Sequence, residues 1–153
     1  EFEKIFPDCR LLDIHEYLME KNITLQQTDN SSEKTQYLYH DPCHTPMKQY
    51  NPITVASNLL RQDVTNSDRC CGEAGTLGTA RPDIAEQLRY RKREDLRENI
   101  TKLTGSDMVV NNEVKILTSC PACQQGLARY TDDTGLSTDY IVVEMANKMH
   151  GKD

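Results

Sequence analysis

VKILTSCPACQQGLARY, residues 114–130, carries a short apolar run, a Cys-Pro-Ala-Cys and a helix-like stretch in that order. A short apolar run such as VKILTS (114–119) is typical of a strand buried on both faces. PACQQGLARY (121–130) reads as a helix start. The two cysteines, Cys120 and Cys123, therefore stand where a strand gives way to a helix. DMVV (107–110), just upstream, is a second short run of the same kind.

Further out, the same alternation continues. Pro82, a favoured first-turn residue, opens a long helix that runs to about Leu103. Its apolar stripe is Ile84, Leu88, Leu96, Ile100 and Leu103, broken by Lys92, and Thr104-Gly105 is a plausible C-terminal cap. Before it, SDRCCGEAGTLG (67–78) is a glycine-rich loop, and ITVASNLLRQD (53–63) reads as a short helix. TQYLYHD (35–41) alternates and is rich in tyrosine, so a strand is expected there, ending near Pro42. TDNSSEK (28–34) is a polar loop. PDCRLLDIHEYLMEKN (7–22) reads as a helix, with Leu11, Ile14, His15 and Leu18 at helical spacing and Asp8 able to cap it. At the other end, a polar TDDTG loop leads to TDYIVVEMANKMHG (138–151). Val142, Met145, Ala146 and Met149 there predict a terminal helix with a strand-like entry.

Helices alternating with buried strands predict an α/β fold, mainly a parallel sheet with helices on both faces. In such sheets ligands gather outside the carboxyl ends of the strands. Cys43, Cys70-Cys71 and Cys120 are expected in those loops. No internal repeat or low-complexity segment interrupts the pattern.

The 153 residues suffice for one domain with a real core. The net charge of −6 argues against a nucleic-acid surface, which needs clustered Lys and Arg. The basic stretch RYRKRED (89–95) is interleaved with acids and reads as a solvated helix face. No run of about 18 apolar residues is present, so no transmembrane helix is expected. The N-terminus lacks the layout of a signal peptide, and a reducing, cytoplasmic setting favours metal-binding or catalytic cysteines over disulfides. The chain is expected to be one domain, residues 1–153, cut from the C-terminal part of a longer protein.

Six cysteines are present, five of them in HDPCH (40–44), RCCG (69–72) and SCPAC (119–123). There are 26 residues between Cys43 and Cys70, and 48 between Cys71 and Cys120. Adjacent Cys70 and Cys71 can bridge only through a strained ring, so both sulfurs make better sense pointed at something shared. A CxxC brings two thiolates to one side of a turn, and it serves zinc, iron–sulfur and redox-active dithiol sites alike. Glycines such as Gly72 let backbone approach an inorganic centre and offer N–H groups to its sulfurs. Zinc takes four ligands in a closed structural site. Five thiolates fit a cluster of several irons better. His40 and His44 flank Cys43 and could ligate, though hydrogen bonding to cluster sulfur or to backbone is the favoured role. Asp41 is expected to shape the turn before Pro42. Glu73 is near enough to act electrostatically, or is a solvated loop carboxylate. Cys9 stands outside the pattern.

HDPCH, RCCGEAG and SCPAC in this order resemble the cysteine-rich CCG domain. That domain occurs in heterodisulfide reductase, in the iron–sulfur subunits of glycolate oxidase and anaerobic glycerol-3-phosphate dehydrogenase, and in lactate-utilisation proteins. It also closes large fusions that carry an FAD-linked oxidase domain. The likeness runs from about Leu11 to Met149. The resemblance implies that Cys43, Cys70, Cys71, Cys120 and Cys123 match cysteines ligating a non-cubane 4Fe–4S cluster, with zinc or another cluster in some members. Such domains usually come in pairs, and a second CCG domain is an implied partner. The interval between CCG and CPAC is longer than usual, the extra length falling at SDMVVNNEVK as a loop or hairpin.

The function expected is an iron–sulfur redox module. Electrons would come from a flavin-containing domain or subunit, with FAD, oxidising a 2-hydroxy acid, and would pass to a quinone or another carrier. Through such a parent complex the chain could sit at the inner face of the membrane. A variant has the cluster cleave a disulfide itself. Two alternatives stand beside it: a zinc-binding structural or assembly module, and a thiol–disulfide oxidoreductase using Cys120 and Cys123.

Overall fold

The computed structural model describes residues 2–26, 35–73 and 75–151. Four parallel strands form its sheet: β1 (Gln36–His40), β2 (Val64–Asn66), β3 (Val114–Thr118) and β4 (Ser137–Tyr140), in the order β2-β1-β3-β4. Register pairs Tyr39 with Asn66 on one side and His40 with Thr118 on the other.

The helices follow from the handedness of the crossovers. From β1 the chain passes through α3 (Pro52–Leu60) to β2 on one side, then through α5 (Pro82–Thr104) back across β1 to β3. A right-handed crossover in each direction puts successive helices on opposite faces. One face of the sheet accordingly packs Tyr37, Tyr39 and Leu117 against Val55, Ala56 and Leu59 of α3 and Ile141 and Met145 of α8 (Ile141–Met149). The other packs Leu38, Val114 and Ile116 against Leu96 and Ile100 of α5 and Cys123 and Leu127 of α6 (Pro121–Ala128). Both faces are covered, as the buried strand runs require.

Glu144 of α8 is a buried carboxylate that ties this helix to the sheet. It accepts from the Tyr37 hydroxyl at 2.6 Å and from Lys115 Nζ at 3.0 Å. No helix among the described residues is long and apolar enough to cross a membrane.

Several elements differ from the sequence expectation, each for a local reason. The helix expected over 7–22 is α2 (Ile14–Glu20), with a separate short α1 (Phe2–Ile5). Asp13, not Asp8, caps it: its carboxylate accepts from His15 N–H, while Glu16 accepts from Asp13 N–H, a capping box. Leu11 and Ile14 are exposed, and the inward face is His15 and Glu16. Arg61, with φ 56, ends α3 in a left-handed cap, which frees Val64–Asn66 to pair with β1 as a strand that the sequence did not announce. DMVV is not a strand. Val109 is buried in a loop and donates its N–H to Thr134 carbonyl at 2.8 Å. The extra length before β3 is a loop turned by Asn111 and Asn112, both at φ 56. TDDTG contains one helical turn, α7 (Thr131–Thr134), closed by Gly135 at φ 72. In α8 the buried positions are Ile141, Glu144 and Met145, whereas Ala146 and Met149 are exposed. The expected polar loop at 28–34 lies outside the described residues.

RYRKRED is a solvated face only in part, at Tyr90, Arg91 and Glu94. Lys92 within it is fully buried, 0 % exposed, and Arg89, Arg93 and Asp95 are half-buried. Lys92, between Leu88 and Leu96, points inward with Leu96 and Ile100, whereas Ile84 at the head of the expected stripe is exposed; polar partners described below hold the lysine there.

Candidate metal centre

Between β1 and β3 the strand order reverses direction, and loops leaving there diverge to leave a crevice. Cys43 follows β1, Cys70 and Cys71 follow β2, and Cys120 follows β3, with Cys123 in the first turn of α6. All five cysteines expected at the site thus leave the same edge of the sheet. All six in the chain are free thiols; Cys9 is exposed in the N-terminal segment.

Cys71 and Cys123 are the buried pair, with their sulfurs 3.5 Å apart. A nitrogen of His40 lies within 4.8 Å of both. His40 is the last residue of β1 and is 2 % exposed, yet neither ring nitrogen has a hydrogen-bond partner among the described residues. Thr118, its neighbour across the β1–β3 register, is 0 % exposed and its hydroxyl is also unpaired. Orphaned buried polar atoms are costly. His40 brings two such atoms to within reach of the Cys71 and Cys123 thiols.

Cys70 is half-buried, and the Gly72 N–H points at its sulfur at 3.4 Å. Gly72 has φ 77, which turns that amide toward the thiol, and the loop stays close to α5, where an added Cβ would lie 3.1 Å from Arg89 Cγ. Cys43 is exposed and Cys120 half-buried. His44 is exposed and Asp41 half-buried.

The thiols act on one another. The hydrogen bond with Cys123 is the largest influence holding Cys71 well below the ordinary thiol range, helped by His40 and the Glu73 N–H and opposed by burial. The same bond, then burial and the Cys71 charge, push Cys123 up, and Cys120 adds to this. The opposite directions have one cause, the hydrogen bond that joins the two sulfurs. Burial raises the Cys70 thiol, Gly72 N–H opposes it, and Cys71 and Cys43 reinforce the rise.

Three devices hold the loops in place. First, Glu16 of α2 is buried and accepts from Gln49 N–H at 2.7 Å and Tyr50 N–H at 3.0 Å, fixing the segment that leaves Cys43. Second, the Tyr39 hydroxyl meets Ser119 Oγ at 3.0 Å, joining β1 to the residue before Cys120. Third, α6 presses against the Cys71 loop. Gly126 makes this possible, because a Cβ there would sit 2.8 Å from Glu73 Cβ and 3.3 Å from Cys71 carbonyl oxygen. Glu73 is not a free loop carboxylate: Arg129 grips it at 2.6 and 2.9 Å, just beyond α6.

Sequence reading missed Thr118, Gly126, Glu16 and Lys92 as parts of this site. Lys92 did leave a signal, since a lysine inside an apolar helical stripe must either break the stripe or be buried with partners. Thr118 and Gly126 left none, because their importance depends on which loop lies opposite.

A family model described as a cysteine-rich domain matches residues 37–128. A second, described as a domain of unknown function, matches residues 128–153. One subunit of a fumarate reductase (CoM/CoB) from Methanothermobacter marburgensis is 28% identical over 157 residues, covering 95% of this chain and 28% of that protein. An uncharacterised iron-sulfur protein of Methanococcus maripaludis is 26% identical over 117 residues, covering 70% of this chain and 21% of its own length. The chain thus spans less than a third of either of these curated relatives. No solved structure matches significantly.

Proposed function

The chain belongs to the cysteine-rich domain family, and we propose from that premise that it is an iron–sulfur redox module whose centre is held by Cys43, Cys70, Cys71, Cys120 and Cys123. The observation that carries this reading is that five thiols follow strands at one edge of the sheet, with Cys71, Cys123 and the unpaired His40 imidazole within 4.8 Å of one another. That donor set fits a cluster: it is thiolate-rich, partly dry, and larger than one zinc ion uses. Both curated relatives carry names of this class, a reductase subunit and an iron-sulfur protein.

When bound, a 4Fe–4S cluster, of the non-cubane type that five cysteines suit, would supply a one-electron couple. The residues around it have separate tasks. Cys71 offers a thiolate below the usual thiol pKa, ready to ligate near neutral pH. Gly72 N–H donates to the Cys70 sulfur, and such bonds stabilise negative charge on sulfur and so favour the reduced state. His40, within 4.8 Å of the Cys71 and Cys123 sulfurs, would donate to sulfur in the same way. Cys43, exposed at the rim, marks the side from which electrons enter or leave.

In the parent protein, one such domain among others, electrons would come from a flavin-linked oxidase domain acting on a 2-hydroxy acid and pass to a downstream acceptor. The free thiols suit a reducing cytoplasm. The experiment is anaerobic reconstitution with iron and sulfide, then iron and acid-labile sulfide analysis and EPR. Several irons per chain, lost on Cys71→Ser or Cys123→Ser, are expected. Iron at background level sinks the reading for this chain.

A second reading rests on the His40–Cys71–Cys123 trio itself. Three ligands so close, completed by one more thiolate, suit a single tetrahedral zinc. Stoichiometric zinc in protein purified without air, not displaced by iron and sulfide, would favour it. The dithiol alternative is weaker, since it leaves Cys43 and the adjacent Cys70 and Cys71 without a role.

A further inference from the structure

Lys92 lies in the middle of the 23-residue helix α5, and its side chain is wholly buried. Taking an ammonium out of water costs several kcal/mol, so such a group persists only with strong partners. All its partners lie on one short path. Nζ donates to Ser67 carbonyl at 3.2 Å, to Ser67 Oγ at 2.7 Å, to the Asp68 carbonyl, and to Asp95 Oδ2 at 3.1 Å. Ser67 in turn donates its N–H to Tyr39 carbonyl at 2.9 Å and its hydroxyl to Asp95 at 2.8 Å. Ser67 and Asp68 are the two residues between the end of β2 and Arg69, whose φ of 65 starts the turn into Cys70 and Cys71. The ammonium therefore binds the backbone of the entry to the cysteine pair.

The charge is unevenly screened. The Lys92 side chain is 0 % exposed, whereas that of Asp95 is 16 % exposed. Water at Asp95 weakens the carboxylate's field more than the ammonium's. Burial pulls Lys92 below the ordinary lysine pKa, while Asp95, the Cys71 thiolate and Asp68 pull the other way. Asp68, whose carbonyl accepts from Nζ, stands two residues before Cys70, which places the ammonium beside the cysteine loop.

We propose that Lys92 is a positioning residue with a redox role: its ammonium, fixed by Ser67, Asp68 and Asp95, supplies a buried positive charge that raises the reduction potential of the group held by the cysteines. This rests on the iron–sulfur reading above. A reduced cluster carries one more negative charge than an oxidised one, and a nearby cation favours it. Asp95 acts with the opposite sign.

The test uses the whole chain, anaerobically reconstituted, as wild type, Lys92→Met, Lys92→Arg and Asp95→Asn. Iron and acid-labile sulfide are measured per chain, and the midpoint potential is read by EPR-monitored titration. Lys92→Met is expected to shift the midpoint negative, Asp95→Asn to shift it positive, and Lys92→Arg to stay near wild type. A purely structural role would not give opposite signs. If Lys92→Met folds poorly, Lys92→Gln, which keeps a hydrogen-bonding side chain for Ser67 and Asp68 but not the charge, is measured in its place and is expected to shift the midpoint negative. Midpoints equal to wild type, or both shifts in the same direction, overturn the inference. A wild-type chain that takes up iron and sulfide while the variants stay unshifted fails this inference alone; no uptake in the wild type fails the iron–sulfur reading and the inference with it.

Discussion

Gly126→Ala tests whether the approach of α6 to the cysteine pair builds the site. The added Cβ would stand 2.8 Å from Glu73 Cβ, 3.3 Å from Cys71 carbonyl oxygen and 3.4 Å from Cys71 Cβ. Non-bonded carbons prefer about 3.5–4.0 Å, so α6 and the Cys71 loop must separate. Overpacking of this kind costs about 1–3 kcal/mol. Alanine returns about 1 kcal/mol through its higher helix propensity. The net destabilisation then lies between zero and about 2 kcal/mol, a fall in Tm of up to about 8 °C for a chain this size. The larger effect falls on the centre. Cys123 sits one helical turn before Gly126, so displacing α6 widens the 3.5 Å gap between Cys71 and Cys123. Thermal melts and iron per chain after anaerobic reconstitution measure both effects. Gly78→Ala is the control, since its Cβ meets only the flexible end of Arg89 at 3.3 Å. A Gly126→Ala chain with wild-type melting and wild-type iron content would refute the reasoning.

Other perturbations give equally direct readouts. Glu16→Ala strips the acceptor from Gln49 and Tyr50 N–H and is expected to cost about 1–3 kcal/mol in urea denaturation; a loss below a few tenths would contradict the anchoring role. Gly135→Ala combines a left-handed backbone at φ 72 with a Cβ driven into Val109 carbonyl oxygen. The two costs together come to about 2–5 kcal/mol, and a wild-type melting curve would show that the loop yields freely. The Cys71–Cys123 pair should also give the reduced, metal-free chain a pH signature. Its depressed member contributes stability that is fully present above the unfolded thiol pKa and lost as pH falls through the folded value. Its raised member contributes stability present below the unfolded pKa and lost as pH rises. Folded, the pair keeps one proton across this span, against two or none when unfolded, so its contribution peaks near about pH 8.5. Urea midpoints of wild type minus Cys123→Ala, measured across pH, should trace that peak; a flat difference would argue against a shared proton.

Much of the fold was legible because its signals are local. Buried strands announced themselves as VKIL and QYLYH, and Pro82 and Gly105 bracketed α5. The strand β2 was not legible: three residues are too few for alternation to register, and Val64–Asn66 are extended because β1 lies beside them. DMVV failed in the opposite direction. Its apolarity is real, but Val109 satisfies its N–H on Thr134 and not on a strand. At the site, the cysteines are chemically conspicuous and could be singled out as candidates. Their supports could not. Glu16 and Gln49 are separated by 33 residues, and Ser67 meets Lys92 across 25.

The sequence by itself determined the chemistry available to this chain: five thiols in three ordered motifs, each tied to a chain segment that must turn sharply. It also determined the alternation of helix and buried strand that makes those turns fall at one sheet edge. Only the tertiary structure decided which thiols are buried together and which charge lies buried beside their loop. Spacing along the chain fixes the order of donors. Distances between donors depend on crossover handedness, strand register and the absence of a Cβ at Gly126, and these exist only once the sheet has closed its two faces.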